Sequence, residues 1–161
     1  MIVQLIQDYD PKIIPQIVKL EQETFGHGGM NEWHLLPLIR HGRVFVSLQE
    51  QEVIGSVQYL LDWENPKRAY MYGVAMAKPW RGIGVGTTFL QETFRRLSDE
   101  GIEEIELTVS SENMGAVKVY QEKLGFNATA FRKNEYGLGE DRMVMQVLLI
   151  TNQLVEQIGH D

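Results

Sequence analysis

Residues 79–87 read Pro-Trp-Arg-Gly-Ile-Gly-Val-Gly-Thr, with glycines at 82, 84 and 86. Alternating glycines let a backbone approach a ligand closely and take up φ > 0 where a turn requires it. Helical periodicity begins after Gly86, so the free N–H groups of a first helical turn point along the same loop. Their dipole favours an anion. The chemistry on offer is the binding of a phosphate or pyrophosphate, with a plain strand-to-helix turn as the alternative. A P-loop is excluded, because Gly-x4-Gly-Lys-Ser/Thr would need glycine where Thr87 and Phe89 stand. Thr87 also breaks the Gly-x-Gly-x-x-Gly of a dinucleotide fold. Glu104 and Glu106 do lie about 20 positions on, where such folds carry an acid, but no βαβ unit opens the chain.

Few other chemistries survive the composition. The absence of cysteine removes disulfides, cysteine nucleophiles and thiolate metal sites together. His27, His34 and His41 are seven residues apart, whereas a metal favours i and i+4 beside a carboxylate, so no metal is expected. With 15 basic against 22 acidic residues the formal charge is −7. Phosphate-backbone attraction is therefore missing and nucleic acid is not an expected partner, while a cationic partner meets a favourable field. A hydrophobic share of 43% and a charged share of 23% describe an ordinary globular chain. No window approaches the roughly 18 apolar residues of a membrane span. Residues 1–6 are apolar without a basic leader or cleavage site, and read as a first strand. The expected compartment is the cytoplasm.

The elements that must carry the loop follow from periodicity and punctuation. Asp10-Pro11 reads as an N-cap with proline in the first turn, but Pro15 moves the helix start towards itself. That helix runs through Ile17, Val18 and Leu20 to Phe25. Gly26, Gly28 and Gly29 make a flexible bend, and Asn31 caps a short helix that ends near Gly42, with Pro37 as a kink. Strands over 44–46, 53–63 and 70–76, joined by polar turns, predict an antiparallel meander. Leu90, Phe94 and Leu97 stripe a helix stopped by Gly101. Ile105, Leu107 and Val109 alternate with Glu104, Glu106 and Thr108 in a strand. Val117, Tyr120 and Leu124 recur at helical spacing before Gly125, and strands over 128–133 and 143–149 close the pattern. The fold class is α/β, in the order β-αα-βββ-α-β-α-ββ: a mixed sheet, antiparallel first, with helical crossovers after. One domain is expected over 1–150, with 151–161 as a tail or short helix.

Arg81-x-x-Gly84-x-Gly86 resembles the acetyl-CoA signature of GNAT N-acetyltransferases, Arg/Gln-x-x-Gly-x-Gly/Ala. Downstream, Asn113, Ala116, Tyr120 and the closing Leu124-Gly125-Phe126 are similar to that family's second motif in type and spacing. The resemblance implies a partly splayed sheet, acetyl-CoA as cosubstrate, and transfer of its acetyl group to a primary amine by direct attack on the thioester. It implies that the amides of Val74, Ala75 and Met76 pair with the pantetheine arm. The pyrophosphate would rest on the amides of Arg81, Gly82, Ile83, Gly84, Val85, Gly86 and Thr87. Asn113 would touch cofactor or substrate, unless it only caps the helix that follows. Tyr120 would act as general acid for the departing thiolate, unless it is a core residue. A non-catalytic CoA-binding regulator on the same fold is the alternative function.

The base is the missing piece. An alkyl ammonium of pKa near 10 is about one part in a thousand neutral at pH 7, worth roughly 4 kcal/mol of barrier. The run from Arg132 through Asn134 and Tyr136 to Arg142 is similar to ribosomal-protein N-terminal acetyltransferases. Those enzymes carry Glu or His on the strand where this chain has Thr108. Tyr70, Tyr72, Glu23 and water are the remaining candidates. The resemblance puts the acceptor loops near 25–31 and 134–141, where Glu135, Glu140 and Asp141 either meet a cationic acceptor or form a solvated loop. Peptide N-terminus, lysine and polyamine all fit as acceptors, and a homodimer is allowed.

Overall fold

The computed structural model describes residues 1–149, so the tail expected over 151–161, with His160, lies outside the described residues. The elements are β1 (Ile2–Ile6), α1 (Ile14–Phe25), α2 (Glu32–His41), β2 (Arg43–Gln49), β3 (Glu52–Leu61), β4 (Arg68–Met76), α3 (Val85–Asp99), β5 (Glu104–Val109), α4 (Met114–Glu122), β6 (Asn127–Arg132) and β7 (Arg142–Leu148). Single 3₁₀ turns stand at Gly26–Gly28 and Lys78–Trp80. This is the order that periodicity predicts. The described chain folds as two compact units, residues 1–61 with 71–93, and residues 62–70 with 94–149.

In the first unit the strands stand in the order β1-β2-β3-β4, with β2 antiparallel to both β1 and β3. Val44 and Val46 of β2 join Ile14, Ile17, Val18, Leu35 and Ile39 of α1 and α2 in one buried cluster. Each side chain so buried contributes about 1.5–3 kcal/mol. Asp10 does not cap α1 directly. Its Oδ1 accepts from Lys12 N–H (2.8 Å) and Ile13 N–H (3.3 Å), which closes a turn, and α1 then begins at Ile14. Pro15 decides this, since its missing N–H is harmless only in a first turn. Asn31 does cap α2: its Oδ1 accepts from Trp33 and His34 N–H, and His34 Nδ1 accepts from Asn31 N–H (3.2 Å). The stretch expected as a flexible bend is instead a 3₁₀ turn over Gly26–Gly28, and Gly29 just after it packs against α1.

In the second unit the order is β4-β5-β7-β6. β7 lies antiparallel to β5 from Glu104↔Leu148 to Val109↔Met143, and antiparallel to β6. β4 runs parallel to β5 through Arg68↔Glu104, Ala69↔Ile105 and Tyr70↔Glu106. Ile105, Leu107 and Val109 are buried as their alternation predicts. Glu106 is also buried, unlike the polar face expected of it. Gln146 Nε2 donates to its Oε1 (2.8 Å) and Arg68 approaches to 3.9 Å, so the carboxylate stays solvated by protein groups. On α4, Tyr120 meets Phe126 edge to face at 5.7 Å, and Phe126 meets Phe94 likewise at 6.0 Å.

Candidate active site

In the first unit β4 runs into the glycine loop and α3. Gly82 and Gly84 have φ of +74° and +85°, values that favour glycine, and a Cβ built on either meets nothing within 4 Å. The loop therefore needs glycine for its dihedrals and presents an open face. The first helical bond is Thr88 N–H to Gly84 O (3.1 Å). Among the described residues, no protein acceptor takes the N–H groups of residues 82–87, which together with Arg81 are the set expected to hold a pyrophosphate. Arg81 is already engaged on the protein side. Its amide donates to Lys78 O (3.2 Å), and its Nε donates to Met76 O (2.7 Å), so it braces the loop on β4 and offers only its terminal nitrogens.

Val74, Ala75 and Met76 are not equivalent. Ala77 N–H donates to Ile54 O (2.8 Å), Met76 lies against Gly55, and Gly73 lies beside Gln58, all in one β3–β4 register. Amide direction alternates along an antiparallel ladder. The N–H of Ala75 therefore turns towards β3, while those of Val74 and Met76 turn away from it.

In the second unit Asn113 is the N-cap of α4: its Oδ1 accepts from Ala116 N–H (3.3 Å), which leaves only its amide nitrogen to donate. Tyr120 lies half-buried beyond it on the stripe with Val117 and Leu124. Its ring is held by Phe126, yet its hydroxyl has no hydrogen-bond partner among the described residues. Burial pushes its pKa up from the ordinary tyrosine value, so the phenol is protonated at neutral pH.

The base candidates separate clearly. Glu23 lies on the exposed face of α1 beside Lys19 (3.8 Å), and Tyr72 is half exposed. Tyr70 instead joins a hydroxyl chain, 3.0 Å from Thr108 Oγ1 and 3.5 Å from the Tyr136 hydroxyl. Burial is the main cause that pushes its pKa up to about 12; the Tyr136 contact and Glu106 add to it, and the Thr108 bond opposes it. Arg142 stacks on the Tyr136 ring at 4.6 Å. Below the chain, Arg68 faces Asp62 (3.4 Å), Glu104 (3.2 Å, off hydrogen-bond direction at Nε) and Glu106 (3.9 Å). The loop over 134–141 ties itself together. Asn134 N–H donates to Asp141 Oδ1, Gly139 N–H donates to Asn134 Oδ1 (both 2.8 Å), and Glu135 pairs with Arg132 (3.5 Å). Asp141 and Glu135 are thus engaged within the loop. The Thr108–Tyr70–Tyr136 chain as a unit is not visible in the sequence, although each member is.

The sequence model of the acetyltransferase (GNAT) family matches residues 6–126. The chain belongs to that family. It is 29% identical over 143 residues to an N-alpha-acetyltransferase of Sulfolobus acidocaldarius, which covers 82% of this chain and 84% of the relative. The fold is shared with the ribosomal-protein-S18-alanine N-acetyltransferase from Escherichia coli, at TM-score 0.67 and 19% identity over 92% of this chain and 94% of that one. It is shared also with an aminoglycoside 6'-N-acetyltransferase complexed with coenzyme A, at TM-score 0.76 and 14% identity over 92% and 97%. As a GNAT protein the chain is an acetyl-CoA-dependent N-acetyltransferase. Among the described residues no helix is long and apolar enough to cross a membrane, and no three His, Asp or Glu side chains gather where a metal would sit.

Proposed function

We propose that this enzyme acetylates the α-amine of a peptide in preference to a lysine or polyamine, with Tyr120 as general acid. The observation that carries the choice of acceptor is Tyr70. Thr108 replaces a carboxylate or imidazole base, and the neighbouring phenol, pushed up to about 12, is neutral at any ordinary pH. Such a pair accepts and passes hydrogen bonds but does not pull a proton from a strong ammonium. An α-amine of pKa near 8 is already about one-tenth neutral at pH 7, whereas a lysine of pKa near 10.4 is neutral in about one part in a few thousand. That difference is roughly 3 kcal/mol of barrier which this site does not have to supply for a peptide N-terminus. The 29% identity to an N-alpha-acetyltransferase supports the same acceptor.

In the reaction the amide donors of residues 82–87 hold the pyrophosphate, and those of Val74 and Met76 hold the pantetheine arm. The neutral amine nitrogen attacks the thioester carbonyl, and the carbon–sulfur bond breaks. Tyr120 gives its proton to the departing thiolate and regains one from solvent, while the amide nitrogen loses its extra proton to water through the Tyr70–Tyr136 hydroxyls. The test is amine-dependent thiol release from acetyl-CoA with an alanine-initiated hexapeptide, the same peptide blocked at its N-terminus but carrying a lysine, and spermidine. The free N-terminus should give the highest kcat/KM. Preference for the blocked peptide or spermidine, or turnover of aminoglycosides or arylamines alone, would overturn the proposal.

A further inference from the structure

One acid in the first unit sits where a hydrophobe is expected. Ile14, Ile17, Val18 and Glu21 share the buried face of α1, and Glu21 is only 1% exposed. Its Oε2 accepts from Met30 N–H (3.4 Å) and its Oε1 from Gln58 Nε2 (3.3 Å), while the same Nε2 donates to Ser56 Oγ (2.8 Å). Burial pushes the Glu21 carboxyl up from its ordinary value, and the bonds from Met30 and Gln58 oppose that shift. A leucine would fill the position without this desolvation, so the acid is retained against a cost. Its two partners lie at informative places. Met30 ends the turn over 25–31, and Gly29 beside it fits so closely that a Cβ there would stand 2.6 Å from Glu21 O. Gln58 Oε1 lies against β4, 3.1 Å from where a Cβ on Gly73 would be, one residue before Val74.

We propose that Glu21 is a positioning residue: its buried carboxylate is a strut that fixes the acceptor-side turn over 25–31 to Gln58 of β3, which lies beside Gly73 of the strand that presents Val74 and Met76. This rests on the acceptor reading above, in which that turn receives the incoming amine. A strut of this kind sets the distance between the nitrogen and the thioester carbon. Misplacement by about 1 Å costs about 10²-fold in rate.

Three variants test it. Glu21→Leu keeps the volume without an acceptor, Glu21→Asp shortens the reach, and Glu21→Gln keeps it. In the last, a half-turn of the Gln58 amide restores the pairing, because Ser56 Oγ donates as readily as it accepts. With the alanine-initiated hexapeptide, the Leu and Asp variants should lose about 10²-fold in kcat/KM for peptide, with KM for acetyl-CoA unchanged and Gln near wild type. Hydrogen exchange at the Met30 amide, which needs no turnover, should be faster in Leu and Asp and slow in Gln. Unchanged exchange at Met30 in the Asp variant would remove the strut. Faster exchange with undiminished peptide kcat/KM per folded molecule would leave Glu21 purely structural. If the wild type turns over no peptide, the acceptor reading fails by itself, and the exchange data still decide the strut.

Discussion

Replacing Tyr120 by Phe removes one oxygen from a ring held by packing. The edge-to-face contact with Phe126 at 5.7 Å belongs to the ring carbons and survives the change. The hydroxyl has no hydrogen-bond partner among the described residues, so its loss orphans no buried group. Stability at neutral pH should therefore change by no more than about 0.5 kcal/mol, against the 1–3 kcal/mol expected where a buried partner is stranded. Turnover should behave differently. A general acid is worth about 10²–10⁴ in rate, roughly 3–5 kcal/mol of barrier. Thiol release at saturating acetyl-CoA and hexapeptide gives the first quantity, and urea unfolding of the same preparation gives the second. Alkaline pH supplies a check on the burial. A phenol whose folded pKa lies above its unfolded value of 10.0 contributes stability below pH 10 that is lost as pH rises through the folded pKa. The wild type should then lose stability relative to the Phe variant above pH 10 and match it below. A stable Phe variant with near-normal turnover would refute the assignment and leave water as the proton donor.

Gly84→Val places a β-branched residue at φ of +85°, at a cost of about 1–2 kcal/mol, in a space with room for its Cβ. The protein should fold and yet lose the stabilisation by acetyl-CoA, about 2.7 kcal/mol at 100 times its Kd, in a thermal-shift titration. For the hexapeptide, kcat/KM should rise with pH and level near 8, the pKa of an α-amine, whereas a lysine acceptor should go on rising towards 10. A peptide profile that climbs past pH 9 without a plateau speaks against acceptance of the neutral α-amine. Arg68→Met leaves Asp62, Glu104 and Glu106 facing one another without their cation, and urea unfolding should show a loss of about 2–4 kcal/mol.

The order of elements, the Asn31 cap, the glycine loop and the Asn113-to-Tyr120 spacing are written in stretches of a dozen residues or fewer. Period, turn residues and caps are local physics, so these features were legible without a structure. Where local rules competed, the outcome was less clear. Asp10 and Pro15 both signal a helix start, and only the chain's actual path shows that Asp10 closes a preceding turn. Glu21 had a local signal, an acid on the Ile14–Ile17–Val18 face, that reads as ordinary helix chemistry until its burial is known. Glu23, two residues on, is the acid named among the base candidates, and it lies on the solvent side. The remaining decisions belong to strand register. Tyr70 and Thr108, 38 residues apart, meet because β4 and β5 pair at Tyr70↔Glu106, and Tyr136, 66 residues from Tyr70, joins them from the turn between β6 and β7. Glu21 reaches Gln58 across 37 residues because α1 lies on β3. A single-residue slip would turn Tyr70, Thr108 or Gln58 to the opposite face of the sheet, and no local pattern encodes which partner strand, or which register, supplies the other half of a contact.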